Sequence, residues 1–311
     1  MEAFKILCAY SPFFTPLRRT FMKNYPECFR FVQFHKNYEK LKRVGIQIGN
    51  DGDVIDLTAS GLPNSLVKCM GIESFLDLAR KLYNKRNNVV SKYEVRLSAP
   101  ITRPDKIICA AANYAGYCKA SKIPVPQRPI IFSKFPSTII GPNDTIRIPP
   151  LCKQVDWEAE LAVVIGKKCK NVDEKDAAKY IFGYTLAQDI TARDWNRKNG
   201  GQFVLGKSMD TFCPLGPAIV VKTNLDPGHL KIKCLLNGKL KQNSTTSDII
   251  FKTEYLIAYL SKLMTLLPGD IILTGTPDGV GGHSNPPRFL KSGDILKTEV
   301  EGIGQMVNRV L

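Results

Sequence analysis

The 311-residue chain has 44% hydrophobic and 23% charged residues, as expected of a globular protein with a packed core. No apolar run approaches the roughly 18 residues that a membrane-spanning helix needs, so we expect no membrane span. The 44 lysines and arginines exceed the 28 acidic residues, but the charges are interspersed and no nucleic-acid motif is present. We therefore do not expect nucleic-acid binding, and an anionic substrate or a basic compartment would account for the surplus.

Residues 1–27 differ from the rest of the chain, because they are poor in acids and contain the pair Arg18-Arg19. This pattern predicts a mitochondrial presequence. The alternative is a disordered or alternatively started N-terminus, with a cytoplasmic protein. The nine cysteines are scattered and never spaced as C-x-x-C, so a disulfide framework or zinc site is not expected and the compartment should be reducing.

Residues 28–103 are predicted to form a small N-terminal α/β domain. Alternation predicts a strand at Phe29–Phe34, and the turn Asn50–Gly52 separates two further strands in a hairpin, Val44–Ile48 and Val54–Leu57. An amphipathic helix is predicted over Ile72–Lys85.

Residues 104–311 are predicted to form the larger domain, which is rich in strands. Two helices are predicted, Asp173–Tyr180 and Thr253–Met264, the latter with Leu256, Leu260 and Leu263 on one side. The predicted strands are Lys106–Ala111, Pro129–Phe132, Leu161–Ile165, Phe182–Gln188, Ala218–Val221, Leu230–Leu236, Ile271–Thr274 and Ile295–Val300. The order is not regular βαβ alternation, so we expect an α+β fold with a large mixed sheet.

Glu158 and Glu160 lie two apart beside a strand-like segment, so their side chains should point to the same face. Two neighbouring carboxylates in apolar surroundings are costly unless a cation lies between them, and Mg²⁺ or Mn²⁺ prefers such oxygen ligands. The alternative for an isolated Glu-x-Glu is a solvated strand face. Asp189, with Arg193 and Lys207 further along the chain, favours the metal site.

The segment Leu273–Gly281 packs glycines around Thr276. Such a loop lets the backbone approach a ligand closely, and the threonine hydroxyl can donate to it. An ordinary turn is the alternative.

Taken in order, these motifs resemble the fumarylacetoacetate hydrolase (FAH) superfamily, from about Phe29 to the C-terminus. The matching motifs are Asn113-Tyr114, Phe132–Ser137, Glu158–Glu160, Asp189–Asp194, Gly206–Ser208 and Thr274–Gly281. Asp210–Pro217 and the pair Pro286-Pro287 make the chain most similar to the domain-containing protein 2 group.

The resemblance implies an FAH-type fold, a large mixed sheet rolled around the metal site, and a homodimer. It also implies a Mg²⁺ ion, with Mn²⁺ or Ca²⁺ as alternatives, held by Glu158, Glu160 and Asp189 beside Lys207. Substrates of the superfamily are 2-oxo or β-diketo acids, and the resemblance places Arg193 and Thr276 in substrate binding.

Hydrolytic members of the superfamily carry Asn-Tyr-x-x-His-x-x-Glu on a lid over the metal, and this His/Glu pair activates water. Here Tyr117 stands at the His position and Ala120 at the Glu position. Tyrosine titrates near 10 and alanine not at all, so this pair does not generate hydroxide at neutral pH. His283 follows the glycine loop, where it could approach the site. We favour the alternative, a solvated loop histidine.

Three functions remain open. The first is an oxaloacetate keto–enol tautomerase, in which Lys207 carries the proton and Tyr117 is a hydroxyl donor, because enolisation needs no hydrolytic water. The second is an acylpyruvate hydrolase or oxaloacetate decarboxylase. The third is a degenerate paralogue that binds metal and a 2-oxo acid without turnover.

Overall fold

The computed structural model describes residues 29–197, 201–221 and 225–311. The predicted presequence, residues 1–27, lies outside this part of the chain. The strands are β1 Arg30–Lys36, β2 Arg43–Gln47, β3 Val54–Asp56, β4 Val89–Val90, β5 Val95–Ser98, β6 Ile107–Ala111, β7 Ile130–Lys134, β8 Ile139–Ile140, β9 Val155–Asp156, β10 Ala159–Ile165, β11 Ile181–Gln188, β12 Thr191–Ala192, β13 Cys213–Val221, β14 Lys231–Leu236, β15 Lys239–Thr245, β16 Ile271–Leu273, β17 Ile295–Val300 and β18 Gly304–Arg309.

The α-helices are α1 Leu66–Met70, α2 Phe75–Lys85, α3 Ala115–Ser121, α4 Glu174–Ala177, α5 Arg193–Arg197, α6 Phe203–Lys207 and α7 Thr253–Leu263. Short 3-10 helices cover Lys92–Glu94, Pro136–Thr138, Ala178–Tyr180, Thr246–Asp248 and Gly281–His283.

One 12-stranded sheet forms the centre of the fold, in the order β4-β3-β2-β1-β13-β11-β10-β16-β6-β7, with β5 on β1 and β8 on β13. Most pairs are antiparallel, but β16–β6 and β13–β8 are parallel. A second sheet, β15-β14-β17-β18, packs against β10 and β11 through a shared apolar core. The predicted α+β architecture with a large mixed sheet is confirmed.

The N-terminal strands belong to the same large sheet as the rest of the chain. β1 pairs with β13 in the register Arg30↔Val220, and it also pairs with β2 and β5. The buried guanidinium of Arg30 donates to the carbonyl oxygens of Gly302 and Ile303, at 3.1 and 2.6 Å. The domain boundary near residue 103 stays a prediction, and a continuous sheet crosses it.

The predicted hairpin of β2 and β3 is present, and most predicted strands agree with the observed ones within a few residues. Helix α2 begins at Phe75 rather than Ile72. Leu256 and Leu260 of α7 are buried as predicted. Leu263, the last residue of the helix, is 64% exposed, so the core does not extend to this end of the apolar side.

The seven cysteines that the structure describes are all buried and free of disulfides, as expected of small apolar core residues. In the same part of the chain, no helix combines the length and apolar character that crossing a membrane requires.

Candidate metal centre

The three predicted carboxylate ligands converge where β10 begins and β11 ends. The two strands pair antiparallel with Ala159 opposite Gln188. Asp189, which follows β11, therefore lies beside Glu158, and its N–H donates to the Glu158 carbonyl oxygen at 2.8 Å. One side-chain oxygen from each of Glu158, Glu160 and Asp189 lies within 4.8 Å of the others, and all three residues are buried. The predicted solvated strand face is excluded.

Two buried lysines contact this cluster. Lys207, at the end of α6, places its Nζ 2.6 Å from both Glu158 Oε2 and Asp189 Oδ2. Lys134, at the end of β7, places its Nζ 2.8 Å from Asp189 Oδ1 and also donates to the carbonyl oxygens of Ile190 and Lys207. Lys134 was not predicted as a site residue, although it lies in the motif Phe132–Ser137 and is a charged residue at the end of an apolar strand.

These contacts set the charge states of Asp189 and Lys207. Burial alone would raise the pKa of Asp189, but the ammonium groups of Lys134 and Lys207 outweigh it and lower that pKa. Burial disfavours the ammonium of Lys207, yet the carboxylates of Asp189 and Glu158 raise its pKa overall. Asp189 is therefore a carboxylate, and Lys207 is a cation at neutral pH.

Glu160 differs from the other two carboxylates. Its Oε2 accepts a hydrogen bond from Gly275 N at 2.7 Å, and among the described side chains no cationic group forms an ion pair with it. Burial raises its pKa well above the usual range, and the charges of Asp189 and Glu158 add to the effect. A buried carboxylate without a cation is costly. A divalent cation among these oxygens would remove that cost, so the donor set fits Mg²⁺ or Mn²⁺.

Arg193 begins α5 and contacts two carboxylates. Its Nε donates to Asp156 Oδ2 at 2.9 Å, and its guanidinium forms an ion pair with Glu158 Oε1. Asp156 is fully buried and also accepts the backbone N–H groups of Trp157, Gly281 and Gly282. Asp156 was not predicted as a site residue, and it ties the guanidinium to the glycine loop.

With Asp156 and Lys134 included, the site holds four carboxylates and three cationic side chains. The cationic residues are Lys134, Arg193 and Lys207. If every group is ionised, one negative charge is left over, so a divalent ion would make the site cationic by about one charge. A cationic site attracts an anionic ligand.

Thr276 lies beside the carboxylates, but its hydroxyl is already engaged. It donates to the Ala159 carbonyl oxygen at 2.9 Å and accepts from Gln242 Nε2 at 2.8 Å. The Gln242 Oε1 atom accepts the N–H of Ala159, so this glutamine links the glycine loop to the first residue of β10. The predicted contact of Thr276 with a substrate carboxylate stays a prediction.

Gly275 shows why the loop needs glycine at that point. Its φ is +102°, and a Cβ there would lie 2.9 Å from Asn113 Cβ. The Asn113 side chain in turn donates to the carbonyl oxygens of Thr274 and Phe251, and accepts from Phe251 N. The loop is therefore fastened to Asn113, two residues before α3 begins.

Helix α3, which we call the lid helix, carries Tyr117 at its centre. Burial raises the pKa of the Tyr117 hydroxyl, as does the Glu158 carboxylate, while Arg193 and Lys207 oppose them. Tyr117 is half-buried and close enough to Glu158 and Arg193 to feel their charges, whereas Ala120 is exposed. The role of Tyr117 at the site stays a prediction. The interpretation of His283 as a solvated loop residue is wrong, since its ring packs on Tyr117 with a centroid distance of 5.0 Å.

Residues 106–311 match the family model for the fumarylacetoacetate hydrolase C-terminal region. A relative from Xenopus laevis, described as a mitochondrial oxaloacetate tautomerase, is 48% identical over 287 residues, covering 91% of this chain and 90% of the relative. A Homo sapiens protein of the same description is 47% identical, covering 91% of each chain.

A solved structure of maleylpyruvate hydrolase from Sphingobium sp. SYK-6, in complex with a manganese(II) ion and pyruvate, superposes with a TM-score of 0.74. It is 30% identical to this chain and covers 91% of it, and 98% of the hydrolase.

Proposed function

Because the chain belongs to the fumarylacetoacetate hydrolase superfamily, close to its domain-containing protein 2 group, we propose that it is a metal-dependent oxaloacetate keto–enol tautomerase. The observation that carries the proposal is a buried Glu/Glu/Asp cluster in a chain whose lid helix has Tyr117 and Ala120 at the positions of the water-activating pair. Such a site can stabilise an enolate, and tautomerisation consumes no water.

Glu158, Glu160 and Asp189 would hold the cation, for which Mg²⁺ and Mn²⁺ fit best. When bound, the ion acts as a Lewis acid that makes the carbon beside a 2-oxo group more acidic. Calcium, the other alternative, takes up to eight oxygen ligands and would need more water or substrate oxygens beside these three residues than octahedral Mg²⁺ does.

Lys207 has a defined part in this chemistry. Its raised pKa keeps it an ammonium, held between Glu158 and Asp189. In the metal-free protein Lys207 is therefore a cation that can stabilise negative charge on a substrate oxygen. The two groups available for the proton transfer are Lys207, as the sequence predicts, and the Tyr117 hydroxyl, whose raised pKa keeps it protonated.

Arg193 would orient the second carboxylate of a dicarboxylic substrate. Its guanidinium is nearly buried and is fixed by Asp156 and Glu158, so little side-chain entropy would be lost on binding. Thr276 would contribute on the other side of the cluster after releasing its bond to Ala159. The descriptions of the relatives further support a mitochondrial location, and the superfamily suggests a homodimer.

The test is a direct assay of enol-oxaloacetate. Purified protein with Mg²⁺ is mixed with the enol form, and the loss of enol absorbance is followed with and without a chelator. We expect an acceleration that the chelator removes and that is absent in Glu158→Gln. A lack of metal-dependent acceleration refutes the proposal, and pyruvate release from oxaloacetate or acetylpyruvate in parallel would instead indicate the decarboxylase or hydrolase.

A further inference from the structure

His283 approaches the lid helix from the glycine loop. Its ring stacks obliquely on Tyr117, and both of its ring nitrogens lie within 3.5 Å of the Ser121 hydroxyl, the nearer being Nε2 at 3.4 Å. Ser121 lies one helical turn beyond Tyr117, on the same side of the lid helix. His283 thus contacts two side chains of the lid helix, Tyr117 and Ser121, from a separate segment of the chain.

The backbone around His283 is held firmly. Asp156 accepts the N–H groups of Gly281 and Gly282, and His283 N donates to the Val280 carbonyl oxygen at 3.2 Å. Asp156 also holds Arg193, so one buried carboxylate sets the positions of the predicted substrate guanidinium and of the imidazole. This shared anchor argues that His283 has a fixed place in the site.

We propose that Tyr117, Ser121 and His283 form a proton relay, with His283 as the terminal proton acceptor for the reaction at the carboxylate cluster. The relay rests on the proposed function and deepens it. In this relay Tyr117 is the catalytic residue, because its hydroxyl exchanges the proton with the substrate, whereas Ser121 and His283 are positioning residues that act through it. The histidine lost from the lid would in this way be supplied by the glycine loop.

The proton balance of the relay is simple. In the keto-to-enol direction, the C3–H bond breaks and its electron pair forms the C2–C3 double bond, while the carbonyl pair moves to oxygen. The C3 proton passes to the Tyr117 oxygen, the phenolic proton to Ser121 Oγ, and the serine proton to the imidazole. The imidazolium returns one proton by the same route to the enolate oxygen, so no proton is gained or lost overall.

The surroundings of His283 agree with a neutral acceptor. Burial lowers the pKa of the imidazole and Arg193 lowers it further, against smaller opposing effects of Asp156, Asp278 and Glu158. The group is therefore uncharged at neutral pH and able to take a proton. A neighbouring cation also favours the fast return of that proton, because it destabilises the imidazolium.

The first test compares His283→Ala with His229→Ala. His229 is an exposed histidine that pairs only with the nearby Asp226, so it is a matched control. With the wild-type protein active on enol-oxaloacetate, we expect His283→Ala to lower kcat by about 10²–10⁴-fold with little change in KM. Added imidazole should restore part of kcat in this variant, under excess Mg²⁺, and the His229→Ala protein should match the wild type.

Ser121→Ala is the second variant. It removes one hydroxyl from the last residue of the lid helix. We expect it to lower kcat without rescue by imidazole, because the ring is present but disconnected. The relay is overturned if either Ser121→Ala or His283→Ala keeps the wild-type kcat. It is also overturned if His283→Ala loses activity and added imidazole restores none of it. An inactive wild-type protein would instead refute the proposed function itself.

Discussion

Asp156→Asn should disrupt the site although Asp156 is not a predicted metal ligand. The carboxylate accepts four hydrogen bonds, from Trp157 N, Gly281 N, Gly282 N and Arg193 Nε, all between 2.7 and 2.9 Å. In asparagine, one oxygen becomes an NH₂ group. Either orientation of the amide then leaves two of these donors facing another donor.

A buried donor that loses its acceptor costs about 1–3 kcal/mol. Two such donors give an expected loss of about 2–6 kcal/mol in the free energy of unfolding, measured by urea denaturation without metal. The KM for enol-oxaloacetate should also rise, because Arg193 loses one of its two carboxylate partners. Binding assays with a dianionic substrate analogue would report the same loss.

The control is Asp176→Asn, which removes an exposed ion pair with Lys179. Exposed pairs contribute little to stability, so this variant should unfold like the wild type. If Asp156→Asn unfolds within about 1 kcal/mol of the wild type and keeps its KM, then the account of Asp156 as the common anchor is incorrect.

Three further predictions concern the carboxylate cluster and its loop. The pKa of Glu160 is raised in the folded, metal-free protein, so the folded state holds that proton more tightly than the unfolded chain does. The free energy of unfolding should therefore fall as the pH rises above the usual glutamate pKa of about 4.3. Urea denaturation at several pH values should show that the Glu160→Gln variant lacks this fall and is stabilised less by Mg²⁺ than the wild type is. If the variant and the wild type have the same pH profile, the assignment to Glu160 is wrong. Lys134→Met should destabilise the fold by about 3–5 kcal/mol, because Asp189 keeps its charge and loses a buried partner. An unchanged urea midpoint would argue against this ion pair. Gly275→Ala should lower the free energy of unfolding by about 1–3 kcal/mol more than Gly61→Ala. Both glycines have φ near +90 to +100°, but only at Gly275 would a Cβ strike a neighbour, Asn113. Equal losses in the two variants would show that this contact is easily relieved.

Most strands were predictable from the sequence because their apolar residues are continuous or alternate. The seven residues of β10 are all buried, and so are the eight of β11, which makes both conspicuous. In contrast, β15 reads KLKQNST and has mostly exposed or half-buried positions, so no hydrophobic pattern marks it. The exposed end of α7 at Leu263 was missed because periodicity does not show where the neighbouring core stops.

The metal ligands were predictable because they are acidic residues in apolar segments, and the family motifs fixed their order. The residues that hold them were harder to find. Lys134 and Gln242 reach the cluster from β7 and β15, and only the three-dimensional fold brings them to Asp189 and Thr276. His283 was misjudged for the same reason, since its contact with Tyr117 spans more than 160 residues of sequence.

The pairing of β1 with β13 has a consequence for how the chain acquires its structure. Arg30 lies opposite Val220, so about 190 residues must be made before this edge of β1 finds its partner. At roughly 5–20 residues per second, the wait is on the order of 10–40 s. The hairpin partner β2 is available at once, and β5 soon covers the residues Gln33–Lys36 at the other edge. The backbone of Arg30 and Phe31 stays unpaired at that edge until β13 is made, and Phe31 also waits for its ring neighbour Phe182. A chain that stops before β13 therefore leaves the start of this strand edge uncovered and open to pairing with other chains.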